Sequence, residues 1–425
     1  MNIKYNIAVN TINAALKIYA HCLPATVSRK FPEFVKGRVG LVRRIAAEMN
    51  ESTSDDAPVV WFHASSLGEF AIARPLINRL KASGNVRIVQ TFFSPSGYRV
   101  MKDRHPGIDH VFYLPLDTLA NVRGFLEAVN PKAAVFLVSE YWPNMLQELK
   151  FRSVPTFLVS ALIRNNAPFF RWYGKIFRKA LLTYRKFFVL DRNSLINLRS
   201  LGCDNVEISG DPLFDNAALI ASADWTDPVM ENFSEGRTAR LFMAGSLSDK
   251  NDLRLVAEAL RRHPALKAVI VPHDVTAKAI AEIENAFDCP TARYSQLTAE
   301  SDLTGMRVVI VDCVGKLAYM YRYASMAYVG GGFTPLLHSV IEATVYGIPV
   351  SFGPRIERKI TPAQLIERGI GAIVETPDAL SQWITSLTPD RLDQIRENAI
   401  DYVNENVGAT ARIVESIEKC LWEKK

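Results

Sequence analysis

The chain has 425 residues, 48% hydrophobic and 22% charged, with a formal net charge of +6. That balance excludes a disordered chain and a polytopic membrane protein, and a length about twice the usual domain predicts two domains. Five cysteines without a Cys-x-x-Cys pair argue against a zinc cluster or a disulfide framework and fit a reducing compartment.

From Met1 to Ala47 eight Lys or Arg residues face one acidic residue, Glu33. Ile3, Ile7, Ala8, Ile12, Ala15, Leu16, Tyr19 and Leu23 recur at helical spacing on one face. Asn6, Asn10, Asn13 and Lys17 interrupt the run, so a bilayer-spanning stretch of roughly 20 apolar residues is not available. An amphipathic helix followed by Arg29, Lys30, Lys36, Arg38, Arg43 and Arg44 predicts an interfacial anchor on an anionic membrane, residues 1–46. The alternative is a helix packed on the protein's own core with a solvated basic tail. Nucleic acid fits less well, because these cations are not interleaved with stacking aromatics.

Apolar, β-rich segments follow at Val59–Ala64, Val86–Phe92, Ala133–Val138, Thr156–Ser160, Phe187–Leu190 and Val206–Ser209. A second series runs through Arg240–Ala244, Ala268–Val271, Val308–Val311, Met326–Val329 and Pro349–Phe352. Near-continuous apolar strands alternating with helical patterns mean parallel sheets covered on both faces. The expected fold is α/β, with two Rossmann-like domains, 47–216 and 217–425, facing each other across a cleft. The last helical region, from Asp390, is expected to pack back on the first domain.

Ligands in such sheets sit beyond the carboxyl ends of the strands. In the first half, Val59–Ala64 runs into Ser65-Ser66-Leu67-Gly68-Glu69, Ala133–Val138 into Ser139-Glu140, and Thr156–Ser160 into a loop carrying Arg164. Two carboxylates and a guanidinium on one rim predict a base and a partner charge, although Glu69 could simply complement a helix dipole. In the second half the strand ends carry Gly245-Ser246, Pro272-His273-Asp274, and Asp312-Cys313-Val314-Gly315-Lys316. The last is Gly330-Gly331-Gly332, followed by a predicted helix with His338, Ser339 and Glu342. Glycine turns and a helix start are expected to hold a phosphate by backbone amides, and Glu342 a ribose. A tight βα turn is the plain reading of the glycines alone. No acidic pair of the Asp-x-Asp kind is present to bridge a metal to a diphosphate, so neither metal nor cofactor is expected.

From Trp61 to Val374 these segments resemble the Kdo (3-deoxy-D-manno-octulosonic acid) transferases of lipopolysaccharide synthesis, which have the GT-B fold. The resemblance rests on Trp61-Phe62-His63-Ala64-Ser65-Ser66-Leu67-Gly68-Glu69 and Ser139-Glu140-Tyr141-Trp142-Pro143-Asn144. It implies Glu69 as catalytic base and Glu140 as transition-state stabiliser. Pro272-His273, Val314-Gly315-Lys316 and Ser339-Val340-Ile341-Glu342 stand where the family binds CMP-Kdo, and Ser66, Gly68 and Arg164 where acceptor or donor carboxylate would lie. The resemblance further implies Kdo transfer with inversion to a lipid A precursor (lipid IVA) by a peripheral enzyme on the cytoplasmic side of the inner membrane. Leu213 replaces a family lysine, the donor segment lacks its arginine, and Ser339 replaces an asparagine, the mark of a divergent branch. A GT-B transferase of another nucleotide-sugar, such as a UDP-sugar, and a non-catalytic lipid or nucleotide binder are the alternatives.

Overall fold

The computed structural model describes residues 3–22, 30–51, 57–103, 107–357 and 359–422. Leu23 and Arg29 of the expected anchor lie outside these residues. The chain divides into two compact units: Met1–Asn216 with Val407–Lys425, and Ala217–Asn406.

In unit 1 the strands are β1 (Val59–Ala64), β2 (Arg87–Phe92), β3 (His110–Tyr113), β4 (Ala133–Leu137), β5 (Thr156–Ala161), β6 (Lys186–Val189) and β7 (Val206–Ile208). They form one parallel sheet in the order β3-β2-β1-β4-β5-β6-β7. The order reverses between β1 and β4, and a crevice opens beyond the carboxyl ends of strands at such a switch point. Alternate side chains divide the core between the two faces. Trp61, Phe125 and Phe136 lie on one side, and Val60, Phe62 and Val135 on the other. The second face is completed by Ile413, Val414 and Ile417 of the helix Ala409–Trp422. Asp215 receives the Gly408 and Thr410 N–H groups at 2.5 and 2.6 Å, so a residue next to the end of the first pass of unit 1 caps the helix that returns to it.

Unit 2 has β8 (Leu241–Leu247), β9 (Lys267–Pro272), β10 (Thr291–Arg293), β11 (Val308–Ile310), β12 (Met326–Val329), β13 (Val350–Phe352) and β14 (Gly371–Ile373). Its sheet is also parallel, ordered β10-β11-β9-β8-β12-β13-β14, with the switch between β8 and β12. Strands β3, β10 and β14, absent from the sequence reading, are all edge strands of three or four residues.

Two local expectations fail. Gly245 and Ser246 are not a turn: β8 continues through them with an irregularity between Gly245 and Leu247, where Ser246 has φ +55°. Nor does the glycine triplet lead directly into a long helix. The helix carrying Glu342 is one turn, Ile341–Thr344, with no side-chain cap at Val340, and its dipole is correspondingly small.

The first helix, Ile3–Cys22, docks by its polar residues. Tyr5 donates to Asp117 Oδ2 at 2.8 Å, and Asn144 Nδ2 donates to Asn6 Oδ1 at 2.7 Å. Ile3, Ile7 and Ile12 stay exposed. Arg38 is not available to lipid as expected. Its guanidinium donates to Phe93 O and Leu114 O at 2.7 and 3.0 Å and lies over the Phe34 ring. Among the described residues no helix is long and apolar enough to cross a membrane.

Candidate active site

Glu69 follows β1 and Glu140 follows β4, the two strands at the switch point of unit 1. Ser66 caps the helix Leu67–Ser83, its hydroxyl accepting the Glu69 N–H at 3.5 Å. Glu69 Oε2 reaches back to accept the Ser65 N–H at 2.5 Å, a variant of the capping box. Ser65 Oγ in turn donates to Glu140 Oε1 at 2.6 Å. One serine, which the sequence reading passed over, therefore tethers both carboxylates. Gly68 lies in the exposed first turn of the same helix, with open space at its Cβ direction apart from Ser66 Oγ at 3.9 Å.

Glu140 is 5% exposed. Besides Ser65 it accepts from the Trp142 indole, and the wholly buried His63 places Nε2 at 3.5 Å from Oε2. His63 is oriented from behind, its Nδ1 meeting Thr91 Oγ1 at 2.9 Å and Thr91 O at 3.2 Å. The Glu140 backbone carbonyl is held by the buried Tyr184 hydroxyl at 2.6 Å. Just before it, Val138 sits at φ +64°, a conformation that costs a β-branched L-residue roughly 1–2 kcal/mol. The following helix, Pro143–Phe151, has no capping side chain at Trp142. Asp117 supplies the cap from the loop after β3, accepting Asn144 and Met145 N–H at 2.9 and 2.8 Å.

The two carboxylates titrate in opposite directions. Burial, and then the charge of Glu140, push Glu69 above the ordinary carboxylate value, against the Ser65 and Ser66 hydrogen bonds and His63. For Glu140 burial also pushes upward, but His63, Ser65 and Trp142 together outweigh it and hold the group below its usual value. A pair separated in this way provides one carboxylate with raised proton affinity beside one that holds its charge more firmly. Arg164 is exposed beyond β5 and has no ion pair among the described residues.

In unit 2 the loops after β8 and β12 meet at its switch point on Asp252, which is fully buried. Its carboxylate accepts the Tyr328 hydroxyl at 2.7 Å, Gly331 N–H at 2.8 Å and Ser248 N–H at 3.1 Å. Gly330 N–H is used by Gly245 O at 2.9 Å, so the expectation that these amides cradle a phosphate does not hold for Gly330 or Gly331. Their small size has other causes. A Cβ on Gly330 would strike Ser246 O, and one on Gly332 would come within 2.5 Å of Gly353 N. His273 and His338 lie with ring centroids 4.5 Å apart and planes tilted by 32°, and burial, then His273 and Lys359, press His338 down to about 4. Burial raises Glu342 against nearby Lys359. Pro272, at the end of β9, lines a 250 Å³ hollow with His273 and Asp249. Lys316 is engaged within unit 2, donating to Asp227 Oδ2 at 3.1 Å and Tyr294 OH at 2.6 Å, while Val314 and Gly315 form its exposed turn. No contact among described residues ties down the Ser339 hydroxyl.

Residues 35–216 match the family profile described as 3-deoxy-D-manno-octulosonic-acid transferase (kdotransferase). The chain is 25% identical over 380 residues to the 3-deoxy-D-manno-octulosonic acid transferase of Chlamydophila psittaci, covering 86% of each. It is 26% identical over 345 residues to the protein of the same name from Aquifex aeolicus, covering 79% of this chain and 88% of that one. Over residues 35–216, and more distantly along most of its length, the chain is similar to the Kdo transferases. Its architecture is also that of solved structures such as the UDP-GlcNAc 2-epimerase of Neisseria meningitidis (TM-score 0.59, 14% identity, 85% of this chain and 100% of that one), a likeness of GT-B fold alone. Leu213, where the resemblance implies a lysine, packs on the unit 1 core. Arg412 donates to the carbonyl of Ser209, four residues before Leu213, at 2.6 and 3.2 Å, bringing a guanidinium beside that segment.

Proposed function

We propose that this chain transfers Kdo from CMP-Kdo to a lipid A precursor, with Glu69 as general base. The observation that carries the reading is the Ser65-tethered pair of carboxylates, pushed apart in proton affinity, at the switch point of unit 1. Glu69 takes the proton from the acceptor hydroxyl as its oxygen attacks the anomeric carbon. The bond from that carbon to the phosphate oxygen breaks, CMP leaves, and the configuration inverts. Glu140, kept anionic, stabilises the positive charge that develops on the sugar ring. On unit 2, His273, His338 and Ser339 face the phosphate and base, Gly332 permits close backbone approach, and Glu342 accepts the ribose hydroxyls. Arg164, with Ser66 and Gly68 at the helix start, receives a carboxylate or the acceptor. No divalent metal enters these steps, and the enzyme works peripherally on the cytoplasmic side of the inner membrane, with the Ile3–Cys22 helix as anchor.

The test is product analysis. Purified chain, CMP-Kdo and lipid IVA should give a lipid heavier by one or more Kdo units, together with free CMP, in the presence of chelator. Transfer from a UDP-sugar only, or no transfer with intact nucleotide binding, overturns the reading.

A further inference from the structure

Between Leu162 and Leu190 the chain carries seven Lys or Arg residues and no Asp or Glu. Five of them, Arg164, Arg171, Lys175, Arg178 and Lys179, make no ion pair or side-chain hydrogen bond among the described residues. At the tip of this β5–β6 connection Trp172 is 91% and Tyr173 55% exposed, their rings in edge contact at 5.6 Å. The exposure is built in. Phe169 is buried against Tyr141, the neighbour of Glu140, with ring centroids 5.0 Å apart. The turn is closed by Arg171 N–H to Pro168 O and Gly174 N–H to Arg171 O, at 3.0 and 2.9 Å. At position 174 a Cβ would collide with the Pro168 carbonyl, so only glycine fits there. A rigid two-ring tip held out in water forgoes the burial that aromatic side chains of this size normally gain.

We propose that this tip is a second membrane contact, docking on an anionic lipid surface with Trp172 and Tyr173 at headgroup depth and the cations Arg171, Lys175, Arg178 and Lys179 next to them in the chain. Amphipathic rings prefer that depth, and cations unopposed by acids complement anionic headgroups. Location supports the choice of partner. The tip follows β5 on the carboxyl rim of unit 1, and the Ile3–Cys22 helix is fastened to the same rim through Asp117 and Asn144, with Ile3, Ile7 and Ile12 outward. One weak attachment holds a protein only reversibly, whereas two make a stable and oriented one. The inference deepens the lipid-acceptor reading, but its test uses vesicles containing neither donor nor acceptor, so each fails independently.

The full chain is sedimented with phosphatidylglycerol-rich and with pure phosphatidylcholine vesicles. Each cation near such a surface is worth about fivefold in binding. Lys175→Gln/Arg178→Gln/Lys179→Gln should therefore weaken binding to the anionic vesicles by about 100-fold, with an unchanged thermal midpoint. Brominated lipid should quench wild-type fluorescence, and the exposed, conservative Trp172→Phe should remove that component. Wild-type affinity in the triple variant, no loss of quenching in Trp172→Phe, or binding to single-stranded RNA in preference to vesicles would each overturn the proposal.

Discussion

Removing the Asp252 carboxylate should cost unit 2 about 2–6 kcal/mol, and the geometry fixes why. Asp252→Ala strips acceptors from the Gly331 N–H, the Tyr328 hydroxyl and Ser248. Ser248 is exposed and can turn to water, so it adds little. Gly331 and Tyr328 are buried, and an orphaned buried donor costs about 1–3 kcal/mol each. Asp252→Asn should be much milder. Its amide oxygen can keep Gly331 N–H while its amide nitrogen donates to Tyr328, whose hydroxyl rotates to accept. At roughly 2–4 °C per kcal/mol for a unit of this size, the alanine variant should lose about 5–20 °C in its unit 2 transition. Denaturant melts of the intact chain and hydrogen exchange at the Gly331 amide would measure both changes. An alanine variant within about 1 kcal/mol of wild type, or an asparagine variant as damaging as alanine, would refute the claim that hydrogen bonding to this carboxylate sets the glycine turn.

Glu342→Ala should weaken CMP affinity, read by calorimetry, by about tenfold or more, since charge-assisted bonds to ribose are worth roughly 1.5–3 kcal/mol each. Equal affinity, or a preference for UDP, contradicts the donor assignment. Gly332→Ala, whose Cβ would meet Gly353 N at 2.5 Å, should displace the β12 and β13 loops and lower CMP affinity with little change in far-ultraviolet dichroism. Tyr5→Phe should loosen the first helix, visible as faster proteolysis there, because its phenol donates to the buried Asp117 carboxylate. Glu140→Gln should move the acid limb of the pH–rate profile downward. As the proposed base Glu69 acts deprotonated, and losing the neighbouring negative charge lowers the pH at which that happens.

Interior strands were legible because burial on both faces makes them continuous apolar runs, as at Val59–Ala64 and Met326–Val329. The edges were not. His110–Tyr113, Thr291–Arg293 and Gly371–Ile373 are short, and one partner strand is enough to hold each. Gly245-Ser246 reads as a turn, yet the strand needs glycine there because a side chain would collide with the Tyr321 hydroxyl. Glu69 and Glu140 stood out as residues following strands, whereas the neighbouring of β1 and β4 is a fact of pairing that no local pattern carries. His63 looks like one more residue of an apolar strand. Asp252 looks like a helix-start acid, and only its reach to Gly331 reveals otherwise. The charge run after Leu162 was plain in the sequence but was divided among separate elements when read strand by strand.

The most direct measurement is acceptor-dependent CMP release by wild type and Glu69→Gln, with lipid products weighed in parallel. Loss of a general base lowers rate by about a hundred- to ten-thousand-fold. Glutamine keeps the shape of Glu69 and an acceptor for the Ser65 N–H, so loss of a helix-capping role alone would change stability by only about 0.3–1 kcal/mol. The account predicts turnover reduced by that factor, unaltered CMP affinity and a nearly unchanged thermal midpoint. Glu69→Gln that turns over at close to the wild-type rate would contradict it.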